Sequence, residues 1–430
     1  MESKREFDLI LLGPTGYTGR LCAEHIVKNF PTGIRWALAG RSPQKIETIA
    51  RDLKTLNPDR AEPGTIWIST TVNIINVPIV ILAVQLIREE LHSLARKTRV
   101  LLNCIGPYHL YSTPIVEACA SNGTHYLDVT GETPWIKNII EKYHETAKSN
   151  GAIIIPSVGV ESAPADVLAW ALVKRIREEL SCDTKEITCA IDDLKTSGAS
   201  GGTLATILTM FDSLSVFEIL KATGPFELAA SSPPKSIPSE PFMEKVLGVR
   251  SVRDMGTLTT APTAVADIAI VHRSSTLMPE FYGPRFHFRQ FLKVRNVFIG
   301  VAIHFAFVIG MLLLLLPPVR WLLRQYVYAP GSGPRMEDSI HDRLEYRAVA
   351  TADQRAPDPK RALGKLRYQG TMYVFTGLLL AEAAMTILEN EEKVKKVSRC
   401  GLVTPATLGQ EYIDRLEKVG CHIETQVFKY

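Results

Sequence analysis

The chain has 430 residues, 46% hydrophobic and 22% charged, which excludes a disordered or fibrous polypeptide and leaves room for two globular domains with real cores. A net charge of +4, unclustered in the first half, is too weak for a nucleic-acid footprint, so no nucleic acid is expected as a partner. Seven cysteines with no C-x-x-C pair read as reduced, mostly buried thiols on the cytosolic side, and no secretory leader is legible in MESKREFDLI.

In chain order, FDLILL predicts a buried parallel strand, followed by Gly13, Gly16 and Gly19 and then a helix that Pro31 stops. Strand, glycine turn and helix make a place where a diphosphate can approach bare amides at a helix N-terminus. Gly13, Thr15, Gly16, Tyr17, Thr18 and Gly19 are therefore the candidate cofactor loop. The spacing is G-x-x-G-x-x-G rather than G-x-G-x-x-G, so the glycines alone leave an ordinary strand-to-helix turn open.

A second strand, Trp36 to Ala39, ends at Gly40 with no acidic residue to hold a ribose 2′-hydroxyl. Arg41, Ser42 and Lys45 follow instead, two positive charges and a hydroxyl suited to the 2′-phosphate of NADP(H). TIWIST, PIVILAV, RVLLNC and HYLDV then alternate with helices, which predicts a Rossmann-type, doubly wound parallel sheet of the α/β class. Two loops at its carboxyl ends carry chemistry. Asn103, Gly106 and Pro107 shape one, which should aim Tyr108 over the nicotinamide; Asp128 to Glu132 forms the other.

An amphipathic helix with Pro164 in its first turn opens a second, α+β domain, and a strand over KEITCAI and a glycine-rich turn before LATILTMF continue it. From Val297 to Leu316 the chain is apolar except for His304, long enough to cross a bilayer. Arg285, Arg289, Lys293 and Arg295 precede the run and Arg320 and Arg324 follow it, Pro317-Pro318 breaks the helix, and VRWLLRQYVY continues it as an amphipathic segment. A hairpin dipping into one leaflet fits these flanks better than a span; a buried core helix is the alternative. His304 reads as hydrogen-bonded in place, and no Cys/His cluster suggests a metal. The charged stretch from Glu337 to Gly364 reads as a solvent-exposed hairpin or a linker.

Taken together and in order, GPTGYTG, WALAGRS, LLNCIGPY, ACASNGTHYLDVTGE and GVESAPAD resemble the saccharopine dehydrogenase-like oxidoreductases, including their trans-acting enoyl reductase branch. SGGT, YAPGSGP, EAAMTILEN and GLVTPATLGQEYIDRLEKVG extend the likeness over most of the chain. Two departures stand out: Gly159 to Asp166 reads GVESAPAD where such proteins often carry G-F-D-S-x-P-x-D, and Val84-Gln85 replace an aspartate often found at the end of the fourth strand. The resemblance implies an NADP-binding Rossmann domain over 1–160 and a substrate domain over 161–296. A membrane-associated segment over 297–328 follows, and 329–430 completes the substrate domain and returns a helix to the first.

The expected activity is NADPH-dependent hydride transfer to a lipophilic polyketide, acyl or terpenoid-type intermediate, with Tyr108 as proton donor oriented by Glu132 or Asp166. A nucleotide-binding scaffold without activity is the competing expectation. Expected partners are the lipophilic substrate and the cytosolic face of a membrane or lipid droplet, with a homodimer compatible with either reading.

Overall fold

The structure, a computed structural model, describes residues 5–75, 81–198, 200–234, 241–325, 333–335 and 337–428. Among these, two seven-stranded sheets organise the chain. The first is wholly parallel, in the order Gly401–Leu402, Ile153–Ile155, His125–Asp128, Thr98–Asn103, Phe7–Leu12, Trp36–Gly40, Gly64–Trp67. Leu9 to Leu12 are fully buried, as an unbroken apolar run requires when helices cover both faces. From Phe7–Leu12 the chain first builds one flank of the sheet and then returns to build the other. The crevice at that switch, between the carboxyl ends of Phe7–Leu12 and Thr98–Asn103, is where such a sheet binds its ligand.

TIWIST and PIVILAV do not both extend this sheet as the alternation predicts. Gly64–Trp67 joins it, but Thr70–Ile75 and Ile81–Leu86 pair antiparallel with each other in a separate two-stranded sheet. Parallel neighbours need a crossover of a dozen or more residues, and the link between these two strands is far shorter. Val84 and Gln85 therefore sit on that ribbon rather than at an end of the parallel sheet, and 76–80 lie outside the described residues.

The second sheet is mixed, in the order Val249–Val252, Gly256–Thr259, His287–Val294, Thr184–Lys195, Arg343–Ala352, Arg361–Gln369, His422–Val427. Helix Ala163–Leu180, with proline in its first turn, lies across it and buries Leu168 and Leu172. Glu337 to Gly364 does contain a hairpin, but not a solvent-exposed one. Strand Arg343–Ala352 is central in the sheet, and its alternate residues Leu344, Tyr346, Ala348 and Ala350 are buried. The half-polar alternation is that of a strand with one covered face.

Helix Met372–Ser398 ties the two sheets together. It lies against helix Tyr17–Asn29 so closely that a side chain at Gly377 would begin 2.8 Å from the Cys22 amide nitrogen. Beside that contact, Glu382 accepts from His25 at 2.7 Å and from Arg415 at 2.7 Å, so its buried charge is paired.

Candidate functional site

At the switch point Gly13 adopts φ +86°, and a side chain there would begin 2.8 Å from Ile105. Gly19 has no room either, because its Cβ would overlap the Gly13 carbonyl oxygen; this glycine lets the helix start close under the strand end. Gly16 differs. It is the N-cap, and a Cβ there would meet neighbours only at ordinary distance, 3.5 Å or more. No side chain caps this helix and its first turn holds no acid, so the amides of Tyr17, Thr18 and Gly19 are left for an anion. Thr15 is exposed beside them. Tyr17 is pinned by a 2.6 Å hydrogen bond from its hydroxyl to the Pro334 carbonyl and by edge contact with Tyr373, the ring centroids 5.1 Å apart. Pro334 belongs to YAPGSGP, most of which lies outside the described residues.

Past the second strand, Arg41 and Lys45 are exposed and, among the described residues, no carboxylate pairs with either; Ser42 is the N-cap of helix Pro43–Leu56 without using its hydroxyl. These two cations and the hydroxyl follow a strand end that adjoins the glycine loop, where Gly13 donates to the Ala39 carbonyl at 2.9 Å, and they fit a 2′-phosphate.

The loop after Thr98–Asn103 is held from within. Asn103 donates to Ser112 at 2.8 Å and to the Tyr126 hydroxyl at 3.0 Å, and accepts from the Ile105 amide at 3.0 Å. Gly106 and Pro107 carry the turn, with the Thr206 hydroxyl 3.9 Å from where a Gly106 side chain would begin. Glu132 is buried and receives the Tyr108 amide at 2.7 Å, the His109 amide at 2.8 Å and His109 Nδ1 at 2.6 Å. It therefore shapes the loop and leaves the Tyr108 hydroxyl alone.

Tyr108 itself points inward, against the expectation that it covers the nicotinamide. Its ring packs on Trp135 at 5.8 Å, it is 7% exposed, and its hydroxyl turns to backbone, the Asn103 carbonyl at 3.4 Å and Val129. Burial raises its pKa well above the ordinary value. Tyr108 follows the loop inward because Trp135, in the first turn of helix Thr133–Ser149, offers its ring an apolar seat. Asp166 lies apart from this loop as well. It accepts from Ser274 at 2.5 Å and from the Ala406 amide at 2.8 Å, so it orients neither Tyr108 nor its loop.

A second group of acids lies beyond the Asp128–Glu132 loop, reached through Gly131. Glu161 keeps much of its surface open although protein crowds around it, as a side chain lining an internal cleft does, and burial raises its pKa. Its carboxylate comes up against Gly131, where a side chain would overlap it. Asp267 is wholly buried; Thr263 donates to its Oδ2 at 2.8 Å, while Oδ1 has no protein partner among the described residues. Burial above all, then the neighbouring Glu161 and Asp166, push its pKa well above the carboxylate range. Tyr346, buried, meets the same Thr263 and senses both acids.

Residues 9–155 match the family model described as the saccharopine dehydrogenase NADP binding domain. The chain is 28% identical over 440 residues to a Mycobacterium tuberculosis protein whose name assigns it provisionally as a trans-acting enoyl reductase, covering 98% of each. It is 26% identical over 451 residues to the trans-acting enoyl reductase of Mycobacterium ulcerans, covering 97% of each. Among solved structures, apo saccharopine dehydrogenase (L-Glu forming) from Saccharomyces cerevisiae shares the fold, with a TM-score of 0.55, 10% identity, and coverage of 98% of this chain and all of that one. The chain is an NADP-dependent oxidoreductase whose first 155 residues carry the NADP-binding domain of that description.

In this oxidoreductase the cofactor loops belong to the parallel sheet, while Tyr346 of the acid group belongs to the second. Gly13 to Gly19, Arg41 to Lys45 and Asn103 to Pro107 gather at the parallel sheet, as their order in the sequence suggests. Glu161, Asp267 and Tyr346 were not singled out from the sequence. Glu161 stands in GVESAPAD, so the departure of that motif was the available signal; Asp267 and Tyr346 carry none, because their helix and strand are far from the crevice in sequence.

Proposed function

We propose that this oxidoreductase is an enoyl reductase that saturates the α,β-double bond of a lipophilic acyl-type substrate made in lipid or secondary-metabolite biosynthesis. NADPH supplies the hydride for the β-carbon. The chain must then deliver one proton to the α-carbon, and a neutral carboxyl is suited to that. Glu161 is the exposed carboxyl beside the Gly131 loop, and the crowding around it raises its proton affinity; Asp267 behind it is raised further by burial and by its acidic neighbours Glu161 and Asp166. The observation that carries the reading is this pair: a cleft-lining carboxyl backed by a buried acid with an unpartnered oxygen.

Support for a lipophilic substrate comes from helix Gly201–Ser213. Its Thr206 adjoins the Gly106 turn, its outward residues Leu204, Ile207 and Met210 are apolar and part-exposed, and its far end lies against the apolar helices described below. The names of the relatives favour C=C over C=O or C=N reduction.

The test measures NADPH oxidation with a long-chain α,β-unsaturated acyl thioester. Glu161→Gln and Asp267→Asn should each bind NADPH as the parent does and turn over about 100-fold more slowly, the usual worth of a placed general acid. A Glu161→Gln enzyme with parental turnover refutes the assignment of the acid. Parental enzyme that ignores the thioester yet reduces a lipophilic ketone or imine refutes the enoyl reading.

A further inference from the structure

Helix Val297–Leu314 stands on the second sheet by its first two turns only. Asn296 caps it by accepting from the Ile299 amide at 3.0 Å, Gly300 seats against Val249 and Val294, and His304 Nδ1 meets the Thr260 hydroxyl at 2.8 Å. After Gly300 no residue as far as Leu316 is buried, and Phe305, Ile309, Leu312, Leu313 and Leu316 are each more than 40% exposed. A helix of this length extends about 27 Å.

Its far end is closed in a way that water would not require. Helix Pro317–Arg324 folds back, and Arg320 donates to the Leu314 carbonyl at 2.8 Å and the Leu315 carbonyl at 3.0 Å, satisfying the open end of the apolar helix. The arginine charge is in turn neutralised by Asp212 at 2.8 Å, and Arg324 pairs with the other oxygen of the same carboxylate. Backbone carbonyls at a helix end need such partners most where no water reaches them. With both arginines turned to Asp212, the return helix leaves Trp321, Leu322 and Leu323 outward, Trp321 at 60% exposure.

At the foot of the long helix, helix Phe242–Leu247 packs beside it and exposes Phe242 and Met243. Here the charges change. Lys245 and Arg295 are exposed, and among the described residues no carboxylate pairs with either. The surface is thus apolar at the tip, aromatic at Trp321 and cationic at the base.

We propose that this surface is a monotopic anchor, in which helices Val297–Leu314 and Pro317–Arg324 insert into one leaflet of a phospholipid membrane while Lys245 and Arg295 meet anionic headgroups. Both ends of the hairpin are tied to the same body, one to the second sheet and the other to Asp212 on helix Gly201–Ser213, so it dips and does not cross. A second copy of the chain would cover one stripe of one helix; here the apolar surface spreads over three helices and continues round the long one. A leaflet covers such a surface, and its headgroups match the basic foot.

The full-length protein should float with phosphatidylcholine–phosphatidylserine vesicles in a density gradient. Phe305→Glu combined with Leu312→Glu should cut the floated fraction by about tenfold or more, and Lys245→Glu with Arg295→Glu should remove the preference for phosphatidylserine. Vesicles with brominated acyl chains should quench tryptophan emission in the parent, and that quenching should vanish in Trp321→Phe. Unchanged NADPH affinity in every variant shows that the fold is kept and that a loss belongs to the anchor and not to the enzyme. Parent protein that stays at the bottom of the gradient, a double glutamate variant that floats as well as the parent, or a parental dimer that the same variant splits into monomers overturns the proposal.

Discussion

Arg41 and Glu132 show how little a residue's type settles about its work. Glu132 sits at a strand end where an acid could meet substrate, yet the Tyr108 and His109 amides and the His109 ring occupy both its oxygens. Arg41 looks like any surface arginine, yet among the described residues it has no carboxylate partner beside the uncapped helix start. Arg41→Ala should weaken NADPH binding about tenfold or more while leaving NADH binding unchanged, since a charge-assisted contact contributes roughly 1.5–3 kcal/mol. Titration of the two coenzymes by fluorescence checks this, and equal losses for both would place the 2′-phosphate elsewhere. Arg41 was legible in the sequence because its place after a strand lacking an acid is a local pattern. The inward turn of Tyr108 was not, because a seat against Trp135 depends on how the neighbouring helix Thr133–Ser149 packs.

Among the described residues two helices are long and apolar enough to cross a membrane, and only their surroundings separate them. Met372–Ser398 has 78% of its most apolar stretch buried and is a core element; Val297–Leu314 has 6%. Sequence distinguishes them only in part, through the polar residues that interrupt the first and the arginines that flank the second. The buried helix fixes the start of the cofactor helix through Gly377, whose missing side chain allows backbone contact with Cys22. Gly377→Val should therefore lower the melting temperature by several degrees and weaken NADPH binding as well, because overpacking against backbone costs about 1–3 kcal/mol and displaces the amide cradle. Thermal melts with and without NADPH test it; a variant as stable as the parent would show that the two helices can separate freely.

Across the whole molecule, Asp166 joins three distant segments: its own helix, Ser274 on helix Ala264–Leu277, and the Ala406 amide near the C-terminus. Burial raises its pKa from 3.8 to about 7, and Asp128 behaves alike. Between those values the folded chain holds protons that the unfolded chain has released, so stability falls as pH rises from about 4 and levels off above about 7. Asp166→Asn should flatten part of that slope, measured as melting temperature against pH, with the Asp128 share remaining. A slope identical to the parent's would mean that Asp166 is ionised in the fold.

The sequence by itself determined what depends on near neighbours along the chain: the buried strand and its glycine turn, the cations that follow the second strand, the apolar run and its basic flanks. These are readable because backbone reach and side-chain periodicity act within a few residues. Tertiary structure alone decided which groups meet across the crevice and which apolar helix is covered. Glu161, Asp267 and Tyr346 converge from a loop, a helix and a strand of the second sheet, and Asp212 closes a hairpin more than a hundred residues away. Their proton affinities and exposure come from the packing around them, a quantity that exists only once the two sheets are in place.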